Sequence, residues 1–243
     1  MARRQTEADN RKNTQDSYSR RKDTKNKILS VIIACEDEIS APTYFKMIVR
    51  KLKENKIITQ DSLVIANHKH NTPKGVLDDL MSHKVDGKKY KEFEHRWIVI
   101  DRDAPRVNGG GHLTDEFNGA LSSAKSYNVE VAYANDSYEL WYLLHFNPRT
   151  TAILRDEILK EVIKKLKEKS PTKFRDLDGE NIKGTKYTEF IFEELLERQP
   201  IAIKNAKNLL ESYGESHNPE RDNPSTTIHK LVEILNNLKD KEF

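Results

Sequence analysis

The sequence predicts an α/β protein, a parallel sheet covered by helices on both faces, with a helical C-terminal elaboration. Three observations predict it. Short apolar runs rich in β-branched residues alternate with longer stretches of helical periodicity over residues 28–146, the pattern of βα units closing into a parallel sheet. After residue 147 no convincing strand remains and helical spacing takes over. Acidic residues also follow directly on two of the apolar runs, where a buried strand ordinarily ends in a turn residue.

The elements follow in order. Residues 1–26 hold almost no apolar side chains and read as a disordered basic tail. Residues 28–34 (Ile-Leu-Ser-Val-Ile-Ile-Ala) read as a buried strand. Tyr44, Phe45, Ile48, Val49 and Leu52 recur at helical spacing, with Pro42 near the start, and predict a helix over 41–55. A short strand at 62–66 and a helix at 73–84 come next, the helix carrying Val76, Leu77, Leu80 and Met81 on its inner stripe. A strand at 96–100, a helix within 113–127, a strand at 129–133 and a strongly apolar helix at 137–146 complete the unit over 27–147. In the helical region, 148–243, helices are expected near 153–169, 188–198, 200–213 and 226–239, with a polar loop from Gly214 to Pro224. That region either docks on the sheet or forms a small second lobe.

Composition narrows the function classes. The 243-residue chain is 36% apolar and 33% charged. Its apolar residues are gathered in periodic runs, which argues against disorder of the whole chain. No apolar run approaches the roughly 20 residues of a membrane span, and the N-terminus lacks a signal peptide's apolar core. The single cysteine, Cys35, cannot form an internal disulfide and fits a reducing cytoplasm. It also rules out a four-cysteine zinc site. The net charge is +3, but residues 1–27 carry nine Lys/Arg against four acids, so the tail holds +5 and the remainder −2. Within the tail Arg3, Arg4, Arg20, Arg21 and Lys22 are candidate phosphate contacts for a nucleic acid. The plain alternative is a solubilising leader.

The candidate site is acidic. Right-handed crossovers bring all the strand ends of a parallel sheet to one edge, and ligands bind in crevices there. Glu36 therefore shares an edge with Asp101 and Asp103, although 65 residues separate it from the first of them. Asp101 and Asp103 have the spacing that puts two side chains on one side of an extended chain. Two carboxylates held so close repel unless a cation or a proton intervenes. Carboxylates are hard oxygen ligands for Mg²⁺ (or Mn²⁺), so Asp101 and Asp103 are candidate metal ligands and Glu36 a candidate general acid or base. The plain alternative is an exposed loop with Arg102 or Arg106 as partner.

Glu38 can follow the same face as Glu36 in support, and Asp37 faces water or caps the following helix. Asp136 with Glu139 three residues on forms a capping box, a sufficient local reason for both. The functional alternative is that Glu139 or Asp136 supports the metal cluster at the same edge, with Glu139 the further metal ligand. His145 stands near the end of that helix, packed or in a supporting role.

Asn108-Gly-Gly-Gly-His112 lacks the Lys-Ser/Thr of a phosphate-binding loop and reads as a mobile loop beside the acids. His68-Lys-His70 has chelating spacing but no obvious third ligand, and Cys35 reads as an inert buried thiol.

With these segments in hand the chain resembles the RloB-like family, a bacterial group related to the Toprim nucleases. Three stretches carry the resemblance. They are Ala34-Cys-Glu-Asp-Glu-Ile-Ser-Ala-Pro-Thr-Tyr-Phe45, Val99-Ile-Asp-Arg-Asp103, and Ala132-Tyr-Ala-Asn-Asp-Ser-Tyr-Glu-Leu-Trp-Tyr-Leu-Leu-His-Phe146. Weaker similarity continues at Lys186-Tyr187, Ala202–Ala206 and Asn223–Val232. The resemblance implies a Toprim-like fold, with Glu36 as catalytic acid/base, Asp101 and Asp103 on Mg²⁺, and Lys186 in support. It also implies an ABC- or AAA-type ATPase partner and a role in anti-phage defence. The chain departs from the family pattern at Asp37, where the family has glycine, and an acid there bears on both the turn's backbone and the metal's field.

The expected function is a metal-dependent nuclease acting on RNA (transfer RNA included) or DNA, as a toxic effector. The alternatives are a non-catalytic adaptor or sensor that binds nucleic acid or an ATPase, and an enzyme acting on a nucleotide messenger. The chain is too short for a strand-passing topoisomerase.

Overall fold

The structure is a computed structural model that describes residues 30–59, 62–107 and 109–239. The basic-tail candidates Arg3, Arg4, Arg20, Arg21 and Lys22 lie outside the described residues.

The elements run β1 (Val31–Cys35), α1 (Ser40–Glu54), β2 (Leu63–Ile65), α2 (Pro73–Ser82), β3 (Lys84–Val85), β4 (Lys88–Lys89), β5 (His95–Asp101), α3 (Thr114–Ser126), β6 (Glu130–Asn135), α4 (Glu139–Leu144), α5 (Arg155–Lys169), α6 (Thr185–Leu195), α7 (Gln199–Tyr213), β7 (Ser225–Thr226) and α8 (Ile228–Asn236). Five strands form one sheet in the order β2-β1-β5-β6-β7. The first four are parallel, and β7 joins β6 antiparallel. The expected α/β architecture is present.

Side chains alternate across this sheet with the two-residue period of a strand. Val31, Ile33, Cys35, Trp97, Val99, Ala132 and Ala134 face one core, shared with α1, α4 and the C-terminal helices. Ile32, Ala34, Ile98, Ile100 and Tyr133 face the other, filled by Val76, Leu77 and Leu80 of α2 and Phe117, Ala120 and Ala124 of α3. Burial on both faces is why β1 and β5 read as unbroken apolar runs. The first core continues through Ile158, Val162, Leu166, Phe192, Ala202 and Leu235. The C-terminal helices are therefore docked on the sheet and share its interior.

Two strand features depart from the sequence reading. β7 is a strand beyond residue 147, and its two residues pair with Ala134 and Asn135. A two-residue strand is too short to show a period, so pattern reading passes over it. β3 and β4 form a hairpin across Asp86-Gly87, both at positive φ (50° and 81°), the Asp-Gly geometry that a tight hairpin turn requires. Among the described residues no helix is long and apolar enough to cross a membrane.

Candidate active site

β1 and β5 are direct neighbours, with Cys35 opposite Val99. Their ends open into a cavity of about 650 Å³ whose lining includes Glu36, Asp101, Asp103, Arg106, His112, Arg155 and Lys183. The topology thus brings together Glu36, Asp101 and Asp103, whose strands the sequence alone left unordered.

Glu36 is the first residue past β1, and its N–H donates to Val99 O at 2.9 Å. One carboxylate oxygen accepts the Asp101 N–H at 3.0 Å, and the other accepts from His112 Nε2 at 2.7 Å. His112 arrives on the loop before α3. Its own N–H donates to Asp103 O at 2.7 Å. The turn needs glycine at 111: φ is +85°, and a Cβ there would lie 2.6 Å from the carbonyl oxygens of Asp103 and Ala104. The hydrogen bond to the Glu36 carboxylate raises the His112 pKa against the opposing effect of burial.

Asp101 ends β5 on the face of Val99. Burial, then the carboxylates of Glu36 and Glu139, push its pKa well above the usual carboxylate range. Asp103 does not continue the extended chain as its spacing predicts. Its φ is +34°, and its carboxylate turns to Arg106 at 2.8 Å and Arg155 at 3.2 Å. Arg106 was one of the partners the plain loop reading named; Arg102 pairs elsewhere.

Glu139 opens α4, whose six residues Glu-Leu-Trp-Tyr-Leu-Leu are all buried. Its side chain is 1% exposed and lies 3.2 Å from Lys183 Nζ, and neither carboxylate oxygen makes a well-oriented hydrogen bond. Burial raises its pKa, but Lys183 and Arg155 outweigh that and hold it below the usual value. Asp136 does not form the expected capping box. Its carboxylate accepts the N–H of Ala104 at 2.8 Å and of Arg155 at 3.1 Å, tying the loop after β5 to the start of α5. These long-range donors win because α4 starts at Glu139, too late for Asp136 to cap it.

Asp37 accepts three backbone N–H groups, from Ile39, Ser40 and Ala41, at 2.7–2.8 Å. It caps α1, and its backbone is not in the positive-φ region. Nothing in that turn requires glycine. Glu38 is exposed at the cavity's mouth.

Two expected supporting residues are not brought to the cavity. His145 is wholly buried in the core. It donates to Trp141 O at 2.8 Å, accepts from the Tyr44 hydroxyl at 3.3 Å, and has its pKa lowered to about 4 by burial. Its place just after α4 turns it toward Tyr44 of α1. Lys186 is exposed, its ammonium over the rings of Tyr187 and Phe190 at 5.5 and 5.8 Å. One turn earlier in the chain Lys183 takes the place beside the acids.

His112, Arg155 and Lys183 were not singled out in the sequence. The glycine run before His112 was the one signal available, and it marked the loop but not the residue. The remaining pairs settle quietly: His70 bonds Asp79 at 2.7 Å, His68 reaches Cys35 O at 3.2 Å, and burial pushes the Cys35 thiol well up.

The donor set suits a hard cation in one way and not in another. Glu36, Asp101 and Glu139 crowd one another electrostatically, and the Glu139 oxygens are buried without hydrogen bonds. Mg²⁺ needs only one or two carboxylates besides water; Asp101 lines the cavity, and Glu139, 1% exposed, lies outside the lining beside Lys183. Among the described residues no three His, Cys, Asp or Glu side chains converge as a metal cage.

A model of the RloB-like protein family matches residues 31–235. The chain belongs to the RloB-like family. The match spans both the strand-end acids and the C-terminal helices packed on the sheet. No curated protein and no solved structure gave a significant match.

Proposed function

We propose that this RloB-like protein is a metal-dependent nuclease cleaving phosphodiester bonds in RNA or DNA. The observation that carries the reading is that Glu36, Asp101 and Asp103 line one cavity at the sheet edge with Arg106, Arg155, Lys183 and His112, while Glu139 lies buried beside Lys183. Carboxylates beside cationic groups are what phosphodiester chemistry uses: acids to hold a metal and move protons, cations to receive a polyanion. Bound Mg²⁺ or Mn²⁺ would supply Lewis-acid polarisation of a phosphoryl oxygen and an activated water. Asp101 and Glu139 are the residues to hold it. Glu36 would take or return a proton at the attacking or leaving oxygen, with His112 fixing its orientation. Arg106, Arg155 and Lys183 offset the phosphate's charge. The basic tail adds backbone contacts.

The defence setting, the ATPase partner and a cytoplasmic location belong to this proposal on the family resemblance. The test is cleavage of labelled RNA and DNA panels with Mg²⁺ or Mn²⁺, with and without a candidate ATPase partner. Metal-stimulated cleavage lost in Glu36→Gln supports the reading; cleavage undiminished in that variant overturns the role of Glu36.

One observation favours an adaptor as the second reading: Glu36 and Asp103 are already satisfied by His112, Arg106 and Arg155. Nucleic-acid binding without cleavage, in every metal and with the ATPase present, would establish it.

A further inference from the structure

Arg102 stands between the two aspartates of the cavity, yet it is not part of the lining. Its side chain is 6% exposed and points away. One guanidinium nitrogen donates to His112 O at 2.8 Å, and another donates to Glu220 Oε1 at 2.8 Å. Thr114 Oγ1 donates to the same Glu220 oxygen at 3.1 Å, and the Phe117 ring lies 5.9 Å from the guanidinium carbon. A planar guanidinium can serve two acceptors in different directions at once, which an ammonium does poorly.

Glu220 belongs to the loop between α7 and β7, and that loop is itself fastened to the sheet. Asn135 Nδ2 donates to the carbonyls of Pro219 and Glu220, both at 3.1 Å. The Tyr133 hydroxyl donates to His217 Nε2, and His217 Nδ1 donates to Asp222, each at 2.6 Å. A continuous path therefore runs from the tethered loop through Glu220 and Arg102 to the His112 backbone. From there the imidazole reaches Glu36 at 2.7 Å.

We infer that Glu220 and Arg102 are positioning residues that hold His112 on Glu36, so that the loop of residues 217–223 sets the geometry of the site. The catalytic weight of this inference rests on the proposed nuclease reading; the coupling itself does not. Outer-shell partners that orient metal ligands carry about 10- to 100-fold of affinity or activity, and the same order is expected of a partner that orients Glu36 through His112.

The test uses the full chain labelled with ¹⁵N-histidine, the His112 side-chain resonance being identified by its loss in His112→Gln. Glu220→Gln is expected to shift that resonance and to lower kcat on the order of 10-fold, with KM changed less than about 2-fold. Glu220→Asp, which keeps the charge but shortens the reach, gives a smaller shift in both. In His112→Gln, adding Glu220→Gln changes the rate little, because the path has already been cut. An unmoved His112 resonance in both Glu220 variants overturns the inference. A resonance that moves in a protein that cleaves no nucleic acid upholds the coupling and removes the nuclease reading.

Discussion

Glu36 and Asp101 are joined by a hydrogen bond from the Asp101 N–H to the Glu36 carboxylate, 3.0 Å long and spanning 65 residues of chain. The first residue past β1 thereby fixes the last residue of β5, its neighbour in the sheet. Its second oxygen remains for His112. Glu36→Gln keeps the shape of this clamp, because an amide oxygen can still accept from Asp101. We expect it to remove metal-stimulated cleavage by about 100-fold or more, within the range of general acid–base contributions, and to leave the thermal midpoint within a few degrees. Cleavage kinetics and a melting curve on the same preparation check both parts.

Lys183 neutralises a carboxylate that is 1% exposed. Lys183→Met leaves Glu139 buried without its closest cation. Breaking a fully buried pair costs about 3–5 kcal/mol, but Lys183 is 32% exposed and Arg155 remains near. We expect a loss on the order of 2 kcal/mol in urea unfolding. Adding Glu139→Gln should restore part of that stability.

Gly111 and Gly109 both have φ near +85° to +90°, but only Gly111 packs against backbone. Gly109→Ala should cost about 1 kcal/mol from φ strain alone. Gly111→Ala must also displace the Asp103 and Ala104 carbonyls, and with them His112. A larger drop in melting temperature and a fall in cleavage are expected for Gly111→Ala, with activity nearly kept in Gly109→Ala.

His145 has its pKa lowered from 6.5 to about 4 by burial. Between those values the unfolded chain binds the proton and the folded chain does not, so stability is present above pH 6.5 and is lost as pH falls toward 4. His229 behaves alike, burial lowering it to about 4. Each contributes on the order of 3 kcal/mol across the window. Urea midpoints should fall between pH 7 and pH 4.5, and His145→Gln should flatten that slope.

The sheet was legible because strands buried on both faces must be written in unbroken apolar residues, as β1 and β5 are. The edge that holds Glu36, Asp101 and Asp103 followed from handedness alone. What the sequence withheld were partners supplied across long separations. Arg155 reaches the cavity from the first residue of α5 and Lys183 from the turn before α6, in a region whose docking no local pattern encodes. Asp103 was misplaced because a positive φ broke the extended geometry its spacing assumes. Asp136 misled for a related reason, since its short-range capping role lost to N–H donors 32 and 19 residues away. His145 and Lys186 matched the family's stretches, yet one serves the core and the other the surface.

β7 pairs its two residues with Ala134 and Asn135, and the Glu220 loop precedes it directly. A growing chain therefore makes both acidic strands long before it makes the segment that braces them. The cavity is braced last, so its final geometry waits on a segment made near the end of synthesis.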